Sequence, residues 1–425
     1  MNILVVTLNA WNTENSTGNT ISNLFANLSE SDKVANIYCR DERIKNSICH
    51  HYFKITEKDI LYHLLSKEQC GQEMFYEDDS SSVDDSTLQQ KNYYSFFRLH
   101  RFTLLLLLRE LVWFIPVWKN SKLSNYILDF KPDIIYMHGH SNLYMHRLLD
   151  YCAEISGAHT VLFWGDDMYG RKSKLPFEYF YESLLRKRYR RSIGNASLLF
   201  GGSLKLCEEY SNLFHKTFHP FFKECKEIRI DEKRHLGKYI TIVYAGNLLF
   251  GREMVMINLA KAIDKLNKRA SKHQFILKIF SNTNPSDSSL TYLDDKKNSF
   301  FMGRKSYLEI CKIMDQSDLA LHIESFNRKN MLSTRLSFST KIIDCMQSTA
   351  GILAIGPRGL ASIDYIASNN LGYTITDVDE IESRMEYLSE HFGIIEEMNR
   401  HKIEFAKKFH TNTSAKVVEE IRRLL

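Results

Sequence analysis

The stretch YAGNLLFGRE, Tyr244 to Glu253, decides how this 425-residue chain is read. Before it runs the apolar segment Tyr239–Val243, and after it the segment MVMINLAKAI has the composition of a helix. The chain therefore leaves a buried strand through Gly246 and Asn247 and enters a helix past Gly251 and Arg252. In open parallel sheets, ligands collect at such strand-to-helix steps, where loops and helix amino ends gather free N–H groups. Gly246 permits close backbone approach, Asn247 supplies hydrogen bonds, and Arg252 is a planar cation suited to phosphate oxygens. The same residues also serve ordinary turns, so this stretch alone leaves both readings open.

Working outward, each half of the chain opens on an apolar run and repeats a strand-then-helix rhythm, the pattern of parallel sheets covered by helices. NILVVTL, VANIYCR, PDIIYMHGH, HTVLFWGDD and ASLLFGG are the strands predicted in the first half; YITIVYAGN, FILKIFSN, SDLALHIES and GILAIGP are those of the second. The polar connector HPFFKECKEIRIDEKRHLGK lies between them. The division expected is a first domain over 1–226, a linker over 227–237, a second domain over 238–408 and a terminal helix over 409–425.

A hydrophobic share of 44% over 425 residues is enough for two cores. The net charge of +5, from 56 basic and 51 acidic residues, suits anionic small molecules or a lipid surface. With no basic arm in the chain, nucleic acid is not an expected partner. The eight cysteines are scattered without a CxxC pair, as in a reduced cytoplasmic protein. MNILVVTLNA has no basic lead and too short an apolar part for a signal peptide, so no export is expected.

Other strand ends add to the first. LALHIESF ends a strand at Glu324, and RLSFSTKIIDCM places Ser339 and Thr340 at a helix start, Lys341 in its first turn and Asp344 one turn further. Ser or Thr there serves as an N-cap, but a lysine beside the positive helix end is unfavourable unless an anion is bound.

These residues carry a resemblance. YAGNL with GRE, FMGRKSYLEICKIMDQSDLALHIESF and STKIIDCMQSTAGILAIGP resemble the nucleotide-binding half of GT-B glycosyltransferases, especially the retaining family-four group of bacterial polysaccharide biosynthesis. DFKPDIIYMHGH and RRSIGNASLLFGGSLKLCEEY extend the likeness more loosely into the first half. The resemblance implies an α/β fold of two Rossmann-like, doubly wound parallel-sheet domains facing across a cleft. It implies a glycosyltransferase that moves a sugar from a nucleotide-diphosphate donor, UDP by family frequency, to a glycan or lipid-linked acceptor in cell-surface polysaccharide synthesis. Retention, with the leaving phosphate assisting the acceptor hydroxyl, and independence from any metal or other cofactor follow from the same likeness.

Carried over by residue, Gly246, Asn247 and Arg252 face the donor diphosphate, and Arg335, Ser339, Thr340 and Lys341 add to that site. Glu324 takes the first acidic position of the family's paired-glutamate motif, near the donor sugar. Asp344 takes the second, on the ribose; it is an aspartate where the family has glutamate, and NRKNMLSTRL stretches the spacing between the two. Gly18, in a loop leading to a helix expected to begin near Thr20, resembles the glycine loop under the donor phosphates. Asp166 and Asp167 of FWGDDMYG stand where many relatives carry a histidine facing the reacting sugar, and are read as acceptor-binding or activating residues, with helix capping as the alternative. His138 and His140 point to the same place or are structural; further ligands for a metal are not found near them. The family's terminal helix returns to the first domain, and 409–425 is expected to do so.

Two segments stand apart. The acidic, Ser-rich YEDDSSSVDDSTLQQ reads as a loop. The run Phe96–Trp118 is too charged and too short to span a membrane; it reads either as a buried helix or as one lying on the membrane, with Arg98, His100, Arg101 and Arg109 near lipid phosphates. The second reading places the protein at the inner face of the membrane. Three rivals remain. A GT-A transferase requires a DxD motif that GDD does not supply, a nucleotide-sugar 2-epimerase shares the fold but needs no acceptor, and a non-catalytic peripheral membrane protein would bind lipid but no nucleotide.

Overall fold

The computed structural model describes residues 1–40, 42–64, 66, 69–76, 103–170, 175–229, 237–269 and 273–425. The chain forms two compact units. Unit 1 holds Met1–Gly202, Cys207–Phe221 and Ser414–Leu425; unit 2 holds Ser203–Leu206 and Phe222–Thr413.

In unit 1 the strands are β1 (Asn2–Thr7), β2 (Lys33–Tyr38), β3 (His51–Lys54), β4 (Gln72–Phe75), β5 (Ile134–His138), β6 (His159–Trp164), β7 (Leu198–Gly201) and β8 (His219–Pro220). They form one sheet in the order β4-β3-β2-β1-β5-β6-β7-β8, parallel except for the β3/β4 pair. In unit 2, β9 (Tyr239–Ala245), β10 (Gln274–Phe280), β11 (Ser299–Gly303), β12 (Leu319–Ile323), β13 (Gly351–Ile355) and β14 (Tyr373–Ile375) form a parallel sheet in the order β11-β10-β9-β12-β13-β14. Successive strands move outward from β1 or β9, then the chain returns to the other side of that strand. Such a reversal opens a crevice outside the carboxyl ends, at β1/β5 in unit 1 and at β9/β12 in unit 2.

Both faces of the second sheet are covered, which explains its near-continuous apolar strands. Along β9, Ile242 joins a core with Leu277, Leu321 and Leu353, while its neighbour Val243 joins another with Ala320, Ile342 and Ile352. Lys402 fixes the helix Lys341–Gln347 from below: its fully buried ammonium donates to the carbonyls of Cys345, Ser348 and Ala350 at 3.3, 2.7 and 2.6 Å. A cation there satisfies the orphan carbonyls of a helix end.

Several expectations need adjusting. The division falls between Phe221 and Phe222 rather than after residue 226, because Phe222 packs on Phe338, Tyr365 and His410 of unit 2. Residues 230–236 of the expected linker, and 77–102 with most of the acidic loop and Arg98, His100 and Arg101, lie outside the described residues. The first helix is Ser16–Leu24, not one starting near Thr20, because Asn15 caps it by accepting from Gly18 N at 2.7 Å. At the other end of the chain, the helix Thr413–Arg422 packs Val417 and Ile421 into the core of unit 1, and Ser414 Oγ donates to Leu24 O at 2.8 Å. All eight cysteines are buried free thiols.

Candidate functional site

The crevice at β9/β12 brings together five of the residues singled out by sequence. Beyond β9, Gly246 N donates to Phe280 O at 2.9 Å, which pins the turn, and Tyr244 Oη donates to Asn247 O at 2.5 Å. Gly251, at φ 76°, then starts the helix Arg252–Asn267. The left-handed backbone there favours glycine, and a Cβ would also meet Ser325 Oγ and Asn330 Nδ2. That start aims Arg252 back across the crevice. Its Nη2 donates to both carboxylate oxygens of Glu324 at 2.9 and 3.1 Å, its Nη1 to Asn247 Oδ1 at 3.0 Å, and its Nε to Ile323 O at 3.2 Å.

Lys341 approaches the same turn. A Cβ on Gly246 would collide with Lys341 Nζ, so the absence of a side chain at 246 is what admits this ammonium. Lys341 has no hydrogen-bonding or ion-pair partner among the described residues; its Nζ lies 5.9 Å from the centre of the Tyr244 ring. Burial, with Arg252 adding to it, lowers its pKa to about 8. Burial likewise holds His322 down at about 3, and its Nε2 is buried without a hydrogen-bonding partner, 3.6 Å from Glu324. Glu324 is raised by burial, which outweighs the opposing pull of Arg252. The site thus holds one satisfied ion pair beside one unsatisfied cation.

Asp344 lies one turn beyond Lys341, and its Oδ1 accepts from Lys223 Nζ at 2.5 Å and Tyr307 Oη at 3.1 Å. Any hydroxyl it holds would share the carboxylate with these groups. Thr340 is the N-cap residue of Lys341–Gln347 by position but makes no capping bond through its side chain. Ser339 is held through its backbone, its N–H donating to Ser362 Oγ at 3.0 Å. Arg335 closes the helix Arg328–Thr334, its carbonyl accepting from Ala361 N at 2.8 Å.

The remaining residues belong to unit 1. Gly18 is not in a loop but inside the helix Ser16–Leu24, where any Cβ would strike the backbone of Asn12; helix-to-loop packing accounts for it. Asp167 is buried, and its Oδ1 accepts from Gly170 N at 2.8 Å and Tyr210 Oη at 3.1 Å, while Tyr210 Oη accepts from Met168 N and Tyr169 N. It organises a turn rather than capping a helix. Asp166 on the same turn is exposed. A hollow of about 420 Å³ lined by Asp150, His159, Arg191 and Ser197 opens at the amino ends of β6 and β7, the rim opposite to the strand ends.

Tyr244, His322, Lys223 and Tyr307 had not been expected here. Position 322 shows in the sequence as a histidine inside an otherwise apolar strand. Lys223 and Tyr307 carry no local signal, since Lys223 reaches Asp344 across 121 residues of chain. Among the described residues no group of acidic, histidine or cysteine side chains has the form of a metal site.

No family model matches this sequence, and no curated protein does. Solved structures do match over the whole length. Sucrose-phosphate synthase from Thermosynechococcus elongatus has 9% identity and a TM-score of 0.60, covering 100% of this chain and 99% of that one. HepE of Anabaena, solved with UDP and glucose, has 11% identity and a TM-score of 0.61 over 100% and 98%. An α,α-trehalose-phosphate synthase (UDP-forming) from Burkholderia xenovorans, solved with glucose-6-phosphate, has 8% identity and a TM-score of 0.58 over 100% and 99%. The chain has the fold of the GT-B glycosyltransferases.

Proposed function

We propose that this protein is a glycosyltransferase that takes a sugar from a nucleotide diphosphate, and that the rim of unit 2 at β9/β12 binds the donor. The single observation that carries the reading is Lys341, a half-buried ammonium without a partner among the described residues, beside the Arg252 guanidinium. Two cations this close repel unless an anion joins them, and a diphosphate supplies one. In the transfer, Lys341 and Arg252 stabilise the charge that grows on the departing diphosphate, an effect worth most in a water-poor site. Glu324 holds Arg252 in place and stands where the donor sugar enters, while Asp344, steadied by Lys223 and Tyr307, takes the ribose hydroxyls. UDP is the proposed nucleotide because the structural neighbours named above include proteins described with UDP or as UDP-forming. Retention of configuration, with the leaving phosphate receiving the acceptor proton, and transfer without a metal are part of the same proposal. On the acceptor side, the exposed Asp166 is the candidate, and Asp167 is assigned to the turn that carries it.

The proposed acceptor is a glycan or lipid-linked sugar of the cell surface, met at the cytoplasmic face of the membrane. The helix Thr103–Phe114 supports this: Glu110 and Trp113 are buried, while Leu105, Leu108, Leu111 and Phe114 form an exposed apolar stripe at helical spacing. Arg109 does not face lipid in this arrangement, since its guanidinium pairs with Glu57 and lies over the Tyr144 ring. No helix among the described residues is long and apolar enough to cross a membrane.

The experiment is thermal unfolding of the full chain with UDP, GDP, ADP and CMP, followed by UDP-sugar turnover with and without acceptor. Saturating UDP, at about a hundred times its Kd, should stabilise the fold by about 2.7 kcal/mol. No stabilisation by any nucleotide would refute the donor site, and sugar conversion without acceptor would replace transfer by epimerisation.

A further inference from the structure

Unit 1 has its own reversal point, at β1/β5, and several buried polar atoms of the residues around it are left unbonded. Asn9 follows β1, Arg40 follows β2, His138 ends β5, and His140 comes two residues later. Four of their side-chain atoms, Asn9 Oδ1, Arg40 Nε, His138 Nε2 and His140 Nε2, are buried and have no hydrogen-bonding partner. Each such atom costs about 1–3 kcal/mol. Several together at the ligand-collecting rim of a parallel sheet mark groups that a ligand completes.

A neighbouring histidine provides the contrast. His146 uses both ring nitrogens, Nδ1 with Ser192 Oγ and Nε2 with His140 O, each at 2.9 Å. It is a structural histidine and holds the backbone at His140 in place. His138 is packed between Tyr136 and Phe163, with ring centroids at 5.6 and 4.8 Å, yet its Nε2 is left without a partner. Arg40, His138 and His146 all act electrostatically on His140, which places the four in one neighbourhood. Burial keeps His138 and His140 neutral, with pKa values of about 3, so each can offer an N–H without adding charge. Arg40 makes no ion pair with any described residue, and Glu57, on the adjoining side, is already taken by Arg109 and by Trp113 Nε1 at 3.0 Å. One unpaired guanidinium and two neutral imidazoles form a donor set for an oxyanion.

We propose that Arg40, His138 and His140 form an oxyanion subsite in unit 1 that binds the anionic substituent of the acceptor, a sugar phosphate or a sugar carboxylate. The word acceptor rests on the glycosyl-transfer reading; the subsite itself does not. The test is a titration of the full-length protein with inorganic phosphate and, separately, with glucuronate, followed through the histidine ring nitrogens by long-range nitrogen–proton NMR. Measurements are made in the wild type, in Lys341→Met to remove the proposed donor site, and in Arg40→Gln. Saturable shifts of the His138 and His140 rings in the wild type, retained in Lys341→Met and weakened at least about tenfold in Arg40→Gln, are expected. Response to phosphate alone assigns a phosphate ester, and response to glucuronate alone assigns a carboxylate. If neither anion moves either ring, or Arg40→Gln binds as tightly as the wild type, the subsite is refuted. Should Arg40→Gln fail to fold, the wild-type shifts decide. Phosphate binding here without any UDP-sugar turnover would leave the subsite standing and remove the transferase reading, whereas turnover with rings unmoved by either anion would do the reverse.

Discussion

The carboxyl rims of the two sheets share a topology and differ in how their charges are met. In unit 2, Arg252 crosses from the loop after β9 to Glu324 after β12 and makes four hydrogen bonds, and Lys223 pairs with Asp344, while Lys341 and His322 Nε2 have no partner among the described residues. In unit 1, Arg40 has no counter-ion among the described residues and two imidazoles end in unbonded nitrogens. One rim is built around a fixed ion pair with a cation left over; the other sets several unbonded polar atoms beside the satisfied His146. The physical lesson is that a prearranged pair sets geometry, while an unpaired buried donor stores binding energy for something that arrives later.

The comparison breaks first on stability. Arg252→Ala leaves Glu324, only 5% exposed at its side chain, without its partner, and should lower unfolding stability by about 3–5 kcal/mol in urea titrations. Arg40→Ala removes no pair with a described residue and takes away a buried Nε that has no hydrogen-bonding partner, so it should not lower stability. Equal losses in the two variants would erase the distinction between the rims. Next in size is affinity. Lys341→Met should weaken UDP binding by about 1.5–3 kcal/mol in calorimetry while leaving the fold at least as stable as before, because burial and Arg252 disfavour the ammonium and no partner among the described residues is lost. Asp167→Ala should cost about 1–3 kcal/mol of stability by freeing Tyr210 and Gly170 N, whereas Asp166→Ala should leave stability unchanged and lower only turnover; a melting-temperature loss in Asp166→Ala would exchange their roles. The smallest effect is on pH. The Lys341 ammonium is lost as pH rises through about 8 in the free protein, and a bound diphosphate favours the charged form. UDP affinity should therefore be flat between about pH 7 and 8 and fall by up to about tenfold per unit above it. Phosphate itself, with its second pKa near 6, is already ionised throughout that range. Lys341→Met should flatten the profile.

Much of the fold was legible because it rests on one signal. Strands buried on both faces, such as Tyr239–Ala245 and Gly351–Ile355, read as continuous apolar runs. Strands outside that pattern went unread. Gln72–Phe75 has three exposed residues of four, and His219–Pro220 is two residues long, so neither carries periodicity. In the candidate site, glycine, arginine and lysine at strand ends were legible because a ligand-binding rim uses few residue types. That Arg252 is bound to Glu324, and that Asp344 shares its carboxylate with Lys223 and Tyr307, was not, because these contacts join residues 37 to 121 positions apart. The placement of Gly18 in a loop was misread since a helix glycine pressed on Asn12 and a loop glycine look the same in one dimension. Arg40 was missed because nothing in its neighbours indicates that it lacks a partner.

The account is tested most directly by titrating the Lys341 ammonium itself, by NMR of the labelled side chain, with and without UDP. A midpoint near 8 in the free protein that climbs by at least about one pH unit in the complex is the result expected of an ammonium holding a diphosphate. A midpoint that stays where it was while UDP is bound would place the nucleotide elsewhere and contradict the donor site.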